Sequence, residues 1–249
     1  MPEPQATPPA GAPNAGAQRA WRTVLESIES DLLDGVLGPG DRLPSERDLA
    51  ADLGVGRSSV REALRVLEVM GLIRTATGSG PQAGAIVIAA PSGGMSTLLR
   101  LQVAAQGFPL ADVVQTRVVL EAAVAARMAA DPLRDLTGVR RILHAMDADG
   151  LTAAEFLVLD AQLHYALAAA SGNTVITAMM AGLRTAIESY VLEGSARIDD
   201  WDAMAARLRA EHHGIVEAIE TGGAEAAQAR IRSHITGYYA AAGLVPGEH

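Results

Sequence analysis

One aspartate and three histidines of this sequence have the types and the spacing of metal ligands. Asp160 and His164 are four residues apart, so a helix places both side chains on one face. His212 and His234 lie in two later segments with a helical pattern. Together they supply the donors that surround a divalent cation, zinc above all and otherwise nickel or manganese, with positions left open for water or a ligand. The alternative is that these four residues are hydrogen-bonded polar groups of a helical core.

A second group of residues has the chemistry of nucleic-acid binding. Arg57 and Arg61 are four residues apart near the start of a predicted helix, so both guanidinium groups lie on one face. Each arginine can bind guanine through two hydrogen bonds, and Ser58 and Ser59 can bind phosphates or bases. The alternative is a surface helix whose arginines are only solvated.

The composition restricts the classes of function that are open to the chain. Its 249 residues include no cysteine, and all 20 basic residues are arginine. This excludes disulfides, thiolate metal sites, thiol nucleophiles and Schiff-base chemistry on lysine. Hydrophobic residues make up 49% of the chain, which predicts a folded core, and the formal net charge of −9 argues against coating nucleic acid by bulk charge.

The first third of the chain has the pattern of a small DNA-binding head. Apolar spacing predicts a helix over 18–34, a short helix after Ser45, and a third helix for which Ser59 has capping-box spacing to a later glutamate. Two short strands, over 72–77 and 85–89, follow and are joined by a glycine-rich tip. Three helices followed by a hairpin are the element order of a winged helix-turn-helix domain. In such a domain the second helix of the helix-turn-helix motif lies in the major groove of DNA and contacts the bases.

The remainder of the chain is predicted to be an all-helical bundle, so the expected fold class is mainly α. We expect a disordered tail over 1–17, the winged helix-turn-helix domain over 18–90, a linker over 91–95, the bundle over 96–242 and a tail over 243–249. The predicted helices of the bundle are 96–105, 111–130, 134–147, 152–170, 174–193, 199–221 and 223–242.

No segment has the pattern of a membrane span or a signal peptide. The stretch from Ala161 to Leu183 lacks formal charge, but its Ser-Gly-Asn run at 171–173 is typical of a break between two helices. The first 17 residues contain no basic residue and no apolar stretch. The sequence therefore predicts a cytoplasmic protein without membrane contact.

The head closely resembles the GntR family of bacterial regulators. The resemblance rests on the segments LPSERDLA at 43–50, LGV at 53–55, VREALRVL at 60–67 and GL at 71–72. It implies that the residues that meet DNA are Arg47, Arg57, Ser58, Ser59, Arg61 and Gly78. Two departures from the family pattern are Gly56, where serine or threonine is common, and a wing tip that is longer than usual.

The bundle resembles the all-helical effector domain, called FCD, of the FadR branch of that family. The resemblance rests on RVVLE at 117–121, DAQLH at 160–164, SGN at 171–173, EH at 211–212 and RSH at 232–234. It implies a divalent metal held by Asp160, His164, His212 and His234. It also implies that Arg117 faces the pocket and binds a small organic acid, since a guanidinium suits a carboxylate. Asn173 is expected either to line that cavity or to cap its helix.

The resulting prediction is a transcriptional regulator whose binding to double-stranded DNA responds to a small carboxylate effector. Proteins with two-fold symmetry read palindromes, so we expect a homodimer on a palindromic operator. One alternative is a metal-dependent hydrolase or lyase that uses the same Asp/His cluster to activate water. A second alternative is a regulator whose metal is only structural.

Overall fold

The computed structural model describes residues 15–76, 84–88, 91–105 and 107–244, and it divides the chain into two compact units, residues 1–94 and 95–249. The predicted fold class, mainly α with a helix-turn-helix head and an all-helical second domain, is confirmed. The described elements are α1 (Ala15–Leu33), α2 (Glu46–Asp52), α3 (Arg57–Val69), β1 (Ile73–Ala76), β2 (Gly84–Val87), α4 (Pro91–Ala104), α5 (Leu110–Ala130), α6 (Thr137–Met146), α7 (Ala153–Ala170), α8 (Thr174–Ser195), α9 (Trp201–Glu220) and α10 (Ala224–Ala241).

The first unit is organised around one small apolar core. Val24 and Ile28 are four residues apart in α1, so they form one face, and both are almost completely buried. They share the core with Val60 of α3 and with Ile73, which lies opposite Val87 in the antiparallel pair of β1 and β2. This packing leaves the other face of α3 exposed.

The two helices of the helix-turn-helix are separated by a short turn at a glycine. The side chain of Ser45 accepts a hydrogen bond from the backbone N–H of Asp48 and so caps α2. After α2, Gly54 has a φ of +64°, a left-handed conformation that ends the helix and that glycine adopts without steric cost. The turn sets the start of α3.

The predicted capping box at the start of α3 is wrong. The helix begins at Arg57, and extended Gly56 is its N-cap, without a side-chain hydrogen bond. Ser59 is therefore already within the first turn, where it is buried. The spacing from Ser59 to Glu62 is that of two helical residues on one face, and it carries no capping role here.

The second unit is a helical bundle with α5 at its centre. This helix packs against α7, α8, α9 and α10, and α7 packs in turn against α6. The inward faces of α5, α7, α9 and α10 therefore meet in one core, and polar side chains on those faces are brought close together.

Some element bounds differ from the predicted ones. Residues 91–95, predicted as a linker because of two glycines, are helical: α4 begins at Pro91, and proline suits the first helical position. The helix α6 begins three residues late because the side chains of Asp131 and Asp135 accept hydrogen bonds from the backbone two residues on, which forms turns. In the predicted N-terminal tail, residues 15–17 are helical. Residues 1–14 and 245–249 lie outside the described part of the chain.

The helical break that the sequence predicts at 171–173 is present. The helix α7 ends at Ala170, Gly172 has a φ of +70°, and α8 begins at Thr174.

No single helix in the described ranges is long and apolar enough to span a bilayer. The two parts of α8, Thr174–Arg184 and Ile187–Ser195, meet the length and composition criteria only when they are taken together, and they are bent by 45° relative to each other.

Candidate metal centre and nucleic-acid interface

The start of α3 and the adjacent α2 present a row of polar side chains to solvent. Arg57, Ser58 and Arg61 are exposed on α3, and Arg47 is exposed on α2. Ser59 differs from them, because it is only 7% exposed and offers little surface to a nucleic acid. The predicted contact at Gly78 in the wing lies outside the described residues.

One carboxylate holds the two arginines of α3 side by side. The Oε2 atom of Glu46, at the first position of α2, lies 3.5 Å from Nη2 of Arg57 and 3.5 Å from Nε of Arg61. All three side chains are partly exposed, so the pairs stabilise the fold by less than about 1 kcal/mol. Their effect is to place both guanidinium groups near the N-terminal end of the helix.

The four predicted metal ligands converge in the core of the second unit. Asp160 and His164 come from α7, His212 from α9 and His234 from α10, and each is at most 5% exposed. One donor atom from each lies within 4.8 Å of all the others. As predicted, the i, i+4 spacing places Asp160 and His164 on one face of α7. The packing of the bundle then brings His212 of α9 and His234 of α10 next to them.

The distances within the cluster fit a single small cation. The Nε2 atom of His234 lies 3.2 Å from Nε2 of both His164 and His212, and Oδ1 of Asp160 lies between 3.0 and 3.8 Å from the three nitrogens. Ligands held about 2.0–2.1 Å from a tetrahedral zinc ion are separated by about 3.3 Å. The donor set, three imidazoles and one carboxylate, is also one that zinc accepts. The residues present therefore fit a divalent metal.

Burial and neighbouring charges set the protonation of these ligands. Burial lowers the pKa of His234 to about 4, assisted by repulsion from His212, and burial also lowers the pKa of His212. Burial opposes ionisation of Asp160, but His164 outweighs it, so the pKa of this carboxyl lies well below its usual value. Neutral imidazoles at 212 and 234 and an ionised carboxylate at 160 are ready to bind a cation. At His164, burial lowers the pKa, but Glu121 and Asp160 outweigh burial and raise it, so a bound cation has to displace a proton there.

The outer nitrogen of His164 is held by a buried ion pair. Oε2 of Glu121 contacts Nδ1 of His164, and Oε1 of the same carboxylate accepts a hydrogen bond of 2.6 Å from Nε of Arg117. Burial disfavours the charge on Glu121, but Arg117 and His164 outweigh it and lower the pKa of Glu121 to about 2. This contact turns Nε2 of His164 towards the cluster, as outer partners of metal-bound histidines do.

A second carboxylate orients His234. Oε2 of Glu211 lies 2.8 Å from Nδ1 of His234, and Oε1 accepts a hydrogen bond of 2.7 Å from Nε of Arg207. At the third histidine, Nδ1 of His212 is buried and has no hydrogen-bond partner among the described residues. Two of the three imidazoles are therefore fixed with Nε2 inward by glutamates, neither of which the sequence marked as a partner of these histidines.

Arg117 lies inside the bundle. Arg117 and Glu121 have the i, i+4 spacing of an ordinary surface ion pair, but the pair is buried, since each residue is only 3% exposed. Burial lowers the pKa of Arg117, but the attraction of Glu121 outweighs it, so its pKa lies above the usual value. Arg117 lines two small cavities of about 10 Å³ each, one together with Ala161, His164, Tyr165, Met180, Arg184 and Ile187, and the other together with Leu157, Asp160, Val191, Leu208, His234, Ile235 and Tyr238.

The sequence left two roles open for Asn173, lining the cavity or capping its helix, and the structure shows the capping role. Its side-chain oxygen accepts hydrogen bonds from the backbone N–H groups of Val175 and Ile176, at the start of α8. It is not among the residues that line the two cavities at Arg117. Its contact with an effector therefore stays a prediction.

The capping role has a measurable consequence. Asn173→Ala is expected to lower the free energy of unfolding by about 1 kcal/mol, because two backbone donors lose their partner, whereas Asn173→Asp retains a cap and should stay close to wild type. Urea titration followed by circular dichroism measures both. Unchanged stability of Asn173→Ala together with weaker binding of an organic acid would instead place this residue in the effector site.

Two family models match the chain. The model of bacterial regulatory proteins of the gntR family matches residues 21–81, which contain the helix-turn-helix, and the model of the FCD domain matches residues 112–237, which contain the Asp/His cluster. A solved structure of Streptococcus agalactiae GntR superposes with a TM-score of 0.55 and 23% identity over 86% of this chain and 96% of that one, which supports the same fold.

Several relatives match along most of their length. The Glc operon transcriptional activator of Escherichia coli strain K12 is 30% identical over 219 residues, 85% of this chain and 84% of that protein. The transcriptional repressor NanR of Citrobacter rodentium is 28% identical over 85% of this chain and 81% of its own. The 49% identity to the regulator Rv0494 of Mycobacterium tuberculosis is confined to 63 residues, 26% of that protein.

Both matched domains belong to transcriptional regulators, and these relatives are transcriptional regulators. The hydrolase or lyase alternative is therefore not supported, and the protein is not an enzyme. The exposed arginines of α3 lie in the first matched domain, and the Asp/His cluster lies in the second. The chain belongs to the GntR family of DNA-binding transcriptional regulators and carries an FCD effector domain.

Proposed function

We propose that the second domain binds a divalent metal and a small organic acid, and that this binding controls how the head binds its operator. The observation that carries the proposal is the buried cluster of Asp160, His164, His212 and His234, with Arg117 joined to it through Glu121. A site this well buried and this polar is costly to maintain in a core without a ligand.

Asp160, His164, His212 and His234 would hold the metal, which we propose to be zinc, with nickel or manganese as alternatives. When bound, the ion would supply a positive charge, and by expanding its coordination beyond the four protein donors it would take an oxygen ligand. The protein's own residues supply the rest: Glu121 and Glu211 fix the orientation of two imidazoles, and the apolar walls of the core exclude water.

Arg117 is the residue that we assign to the effector's carboxylate. Its guanidinium lines cavities on both sides and uses Nε for Glu121, and its terminal nitrogens pair with no second carboxylate among the described residues. A relative of 27% identity from Escherichia coli strain K12 is named a putative L-lactate dehydrogenase operon regulatory protein, and lactate is a small hydroxy acid. This supports an organic acid as the class of effector.

On the DNA side, we assign the contacts to Arg47, Arg57, Ser58 and Arg61, with Ser59 and the wing residue Gly78 as further predicted contacts. A single head covers too little DNA for tight specific binding, so we propose a homodimer, joined through the helical domain, on a palindromic operator. We place the protein in the FadR branch of the family and in the cytoplasm.

The test of DNA reading is substitution at the start of α3. Arg57→Ala and Arg61→Ala should each weaken binding to the operator by about 1–3 kcal/mol, because each removes a guanidinium that can pair with a base or a phosphate. The operator is identified by sequencing the fragments that the protein retains from its own genome. Fluorescence anisotropy with the labelled operator then measures the loss of affinity and the number of chains per operator.

Arg140→Ala is the matched control, because Arg140 is an exposed arginine of the second domain. It should leave the operator affinity unchanged. Wild-type affinity in both α3 variants would contradict the proposed DNA interface. One chain per operator at saturation would contradict the proposed dimer.

A further inference from the structure

A second arginine lines the cavity that joins Arg117 to the metal cluster. Arg184 of α8 borders the same space as Arg117 of α5 and the predicted ligand His164. The cavity wall is otherwise apolar apart from Tyr165. Two arginines of different helices therefore border the same cavity.

The two arginines are held in the same way. Each is followed four residues later by a glutamate of its own helix, and each donates a hydrogen bond of 2.6 Å from Nε to Oε1 of that glutamate. Neither pairs with a second carboxylate in the part of the chain that the structure describes. The terminal nitrogens of a guanidinium form the edge that binds a carboxylate through two hydrogen bonds, so a carboxylate of a ligand can bind at both arginines.

The two arginines differ in exposure, and the difference gives them separate roles. Arg117 is 3% exposed, whereas the side chains of Arg184 and Glu188 are 38% and 28% exposed. A deeply buried guanidinium marks the inner part of the site, and a half-exposed one marks its outer part. A ligand that reaches both needs an anionic group at each end.

We propose that the effector is a small dicarboxylic acid, with one carboxylate bound by Arg117 beside the metal cluster and the other bound by Arg184. The inference rests on the proposed function, since it specifies the class of acid that the effector site accepts. The cavity in this state has room for about one water molecule, at about 10 Å³, so Arg184 moves outward when the acid binds. Its partly exposed pair with Glu188 can rearrange at a cost of about 1 kcal/mol or less.

The experiment compares two acids that differ only in the second carboxylate. Malate and 2-hydroxybutyrate have the same chain length and the same 2-hydroxy group, and isothermal titration calorimetry on the full-length, zinc-loaded protein measures the Kd of each. We expect malate to bind at least about tenfold more tightly than 2-hydroxybutyrate, because it adds a charge-assisted pair.

Three variants assign that difference to the second arginine. Arg184→Gln should lower the affinity for malate to that for 2-hydroxybutyrate and leave the latter unchanged. Glu188→Gln should raise the affinity for malate, because it removes the carboxylate that competes for Arg184. Arg197→Gln is the matched control, since Arg197 also pairs with a glutamate four residues away, Glu193, and lies outside the cavity. It should behave as wild type.

The outcomes separate this inference from the proposed function. Equal affinity of the wild type for the two acids, a preference for malate that survives Arg184→Gln, or loss of both acids in Arg184→Gln overturns the dicarboxylate inference alone. If the wild type binds neither these acids nor any acid of a wider panel, the proposed carboxylate effector is overturned as well. Thermal unfolding of each variant verifies that it is folded.

Discussion

Substitution of His234 by alanine is expected to leave the purified protein without metal after dialysis, while the wild type retains about one ion per chain. The cluster offers one donor each from Asp160, His164, His212 and His234, so the variant keeps three and no longer encloses the ion. Loss of an outer partner of a metal ligand already costs about 10- to 100-fold in affinity, and loss of a ligand should cost more. Elemental analysis by mass spectrometry gives the metal content.

The same variant should lose its thermal response to metal. Free zinc at about 100 times its Kd stabilises a protein that binds it only when folded by about 2.7 kcal/mol, which calorimetry detects as a higher Tm. His213→Ala is the control, because His213 is next to His212 in the sequence but is exposed and pairs with Asp147 at 2.9 Å. If the wild type takes up no zinc, nickel or manganese, the four residues are polar groups of the core and the assignment of a metal is wrong.

Removal of Arg117 is expected to lower the free energy of unfolding by about 3–5 kcal/mol. In Arg117→Ala the buried carboxylate of Glu121 loses the charge that balances it, and an unpaired charge in a core is strongly destabilising. Urea titration measures the loss. Sequence spacing alone predicts a pair of little energetic value, because an exposed i, i+4 ion pair contributes only about 0.3–0.5 kcal/mol.

A double substitution separates the lost partner from the lost volume. Arg117→Met with Glu121→Gln removes both charges and keeps most of the side-chain volume, so it should be considerably more stable than Arg117→Ala. It should bind an organic acid no better than the single variant, because neither retains the guanidinium. A loss of less than about 1 kcal/mol in Arg117→Ala would show that water reaches Glu121, contrary to its burial in the structure.

The parts of the site that could be predicted are those with a local signature in the sequence. Asp160 and His164 are one helical turn apart, so their shared face follows from helix geometry. The turn at Gly54 and the arginines at the start of α3 likewise depend on neighbours in sequence. The element order of the head could be predicted for the same reason.

The contacts that could not be predicted join residues that are distant in sequence. Glu211 is adjacent to His212 but bonds to His234, 23 residues away, because α9 and α10 pack with those faces together. No spacing rule selects that partner. The predicted cap at Ser59 is wrong for a different reason. Serine is a common cap residue, but the helix begins two residues earlier, at Arg57, and Ser59 is buried within its first turn.

The carboxylate of Glu46 lies 3.5 Å from Nη2 of Arg57 and from Nε of Arg61, and if these arginines bind DNA as we propose, it affects both the salt dependence and the specificity of that binding. Free guanidinium groups that meet phosphates release counterions from the DNA, and each such contact steepens the fall of affinity with salt by a slope of about −0.9. Glu46 is a counterion that belongs to the protein, and it cannot diffuse away when the arginines exchange it for DNA. It stays at the interface as a repulsive charge wherever the bases do not satisfy both arginines, so it penalises incorrect sequences more than correct ones.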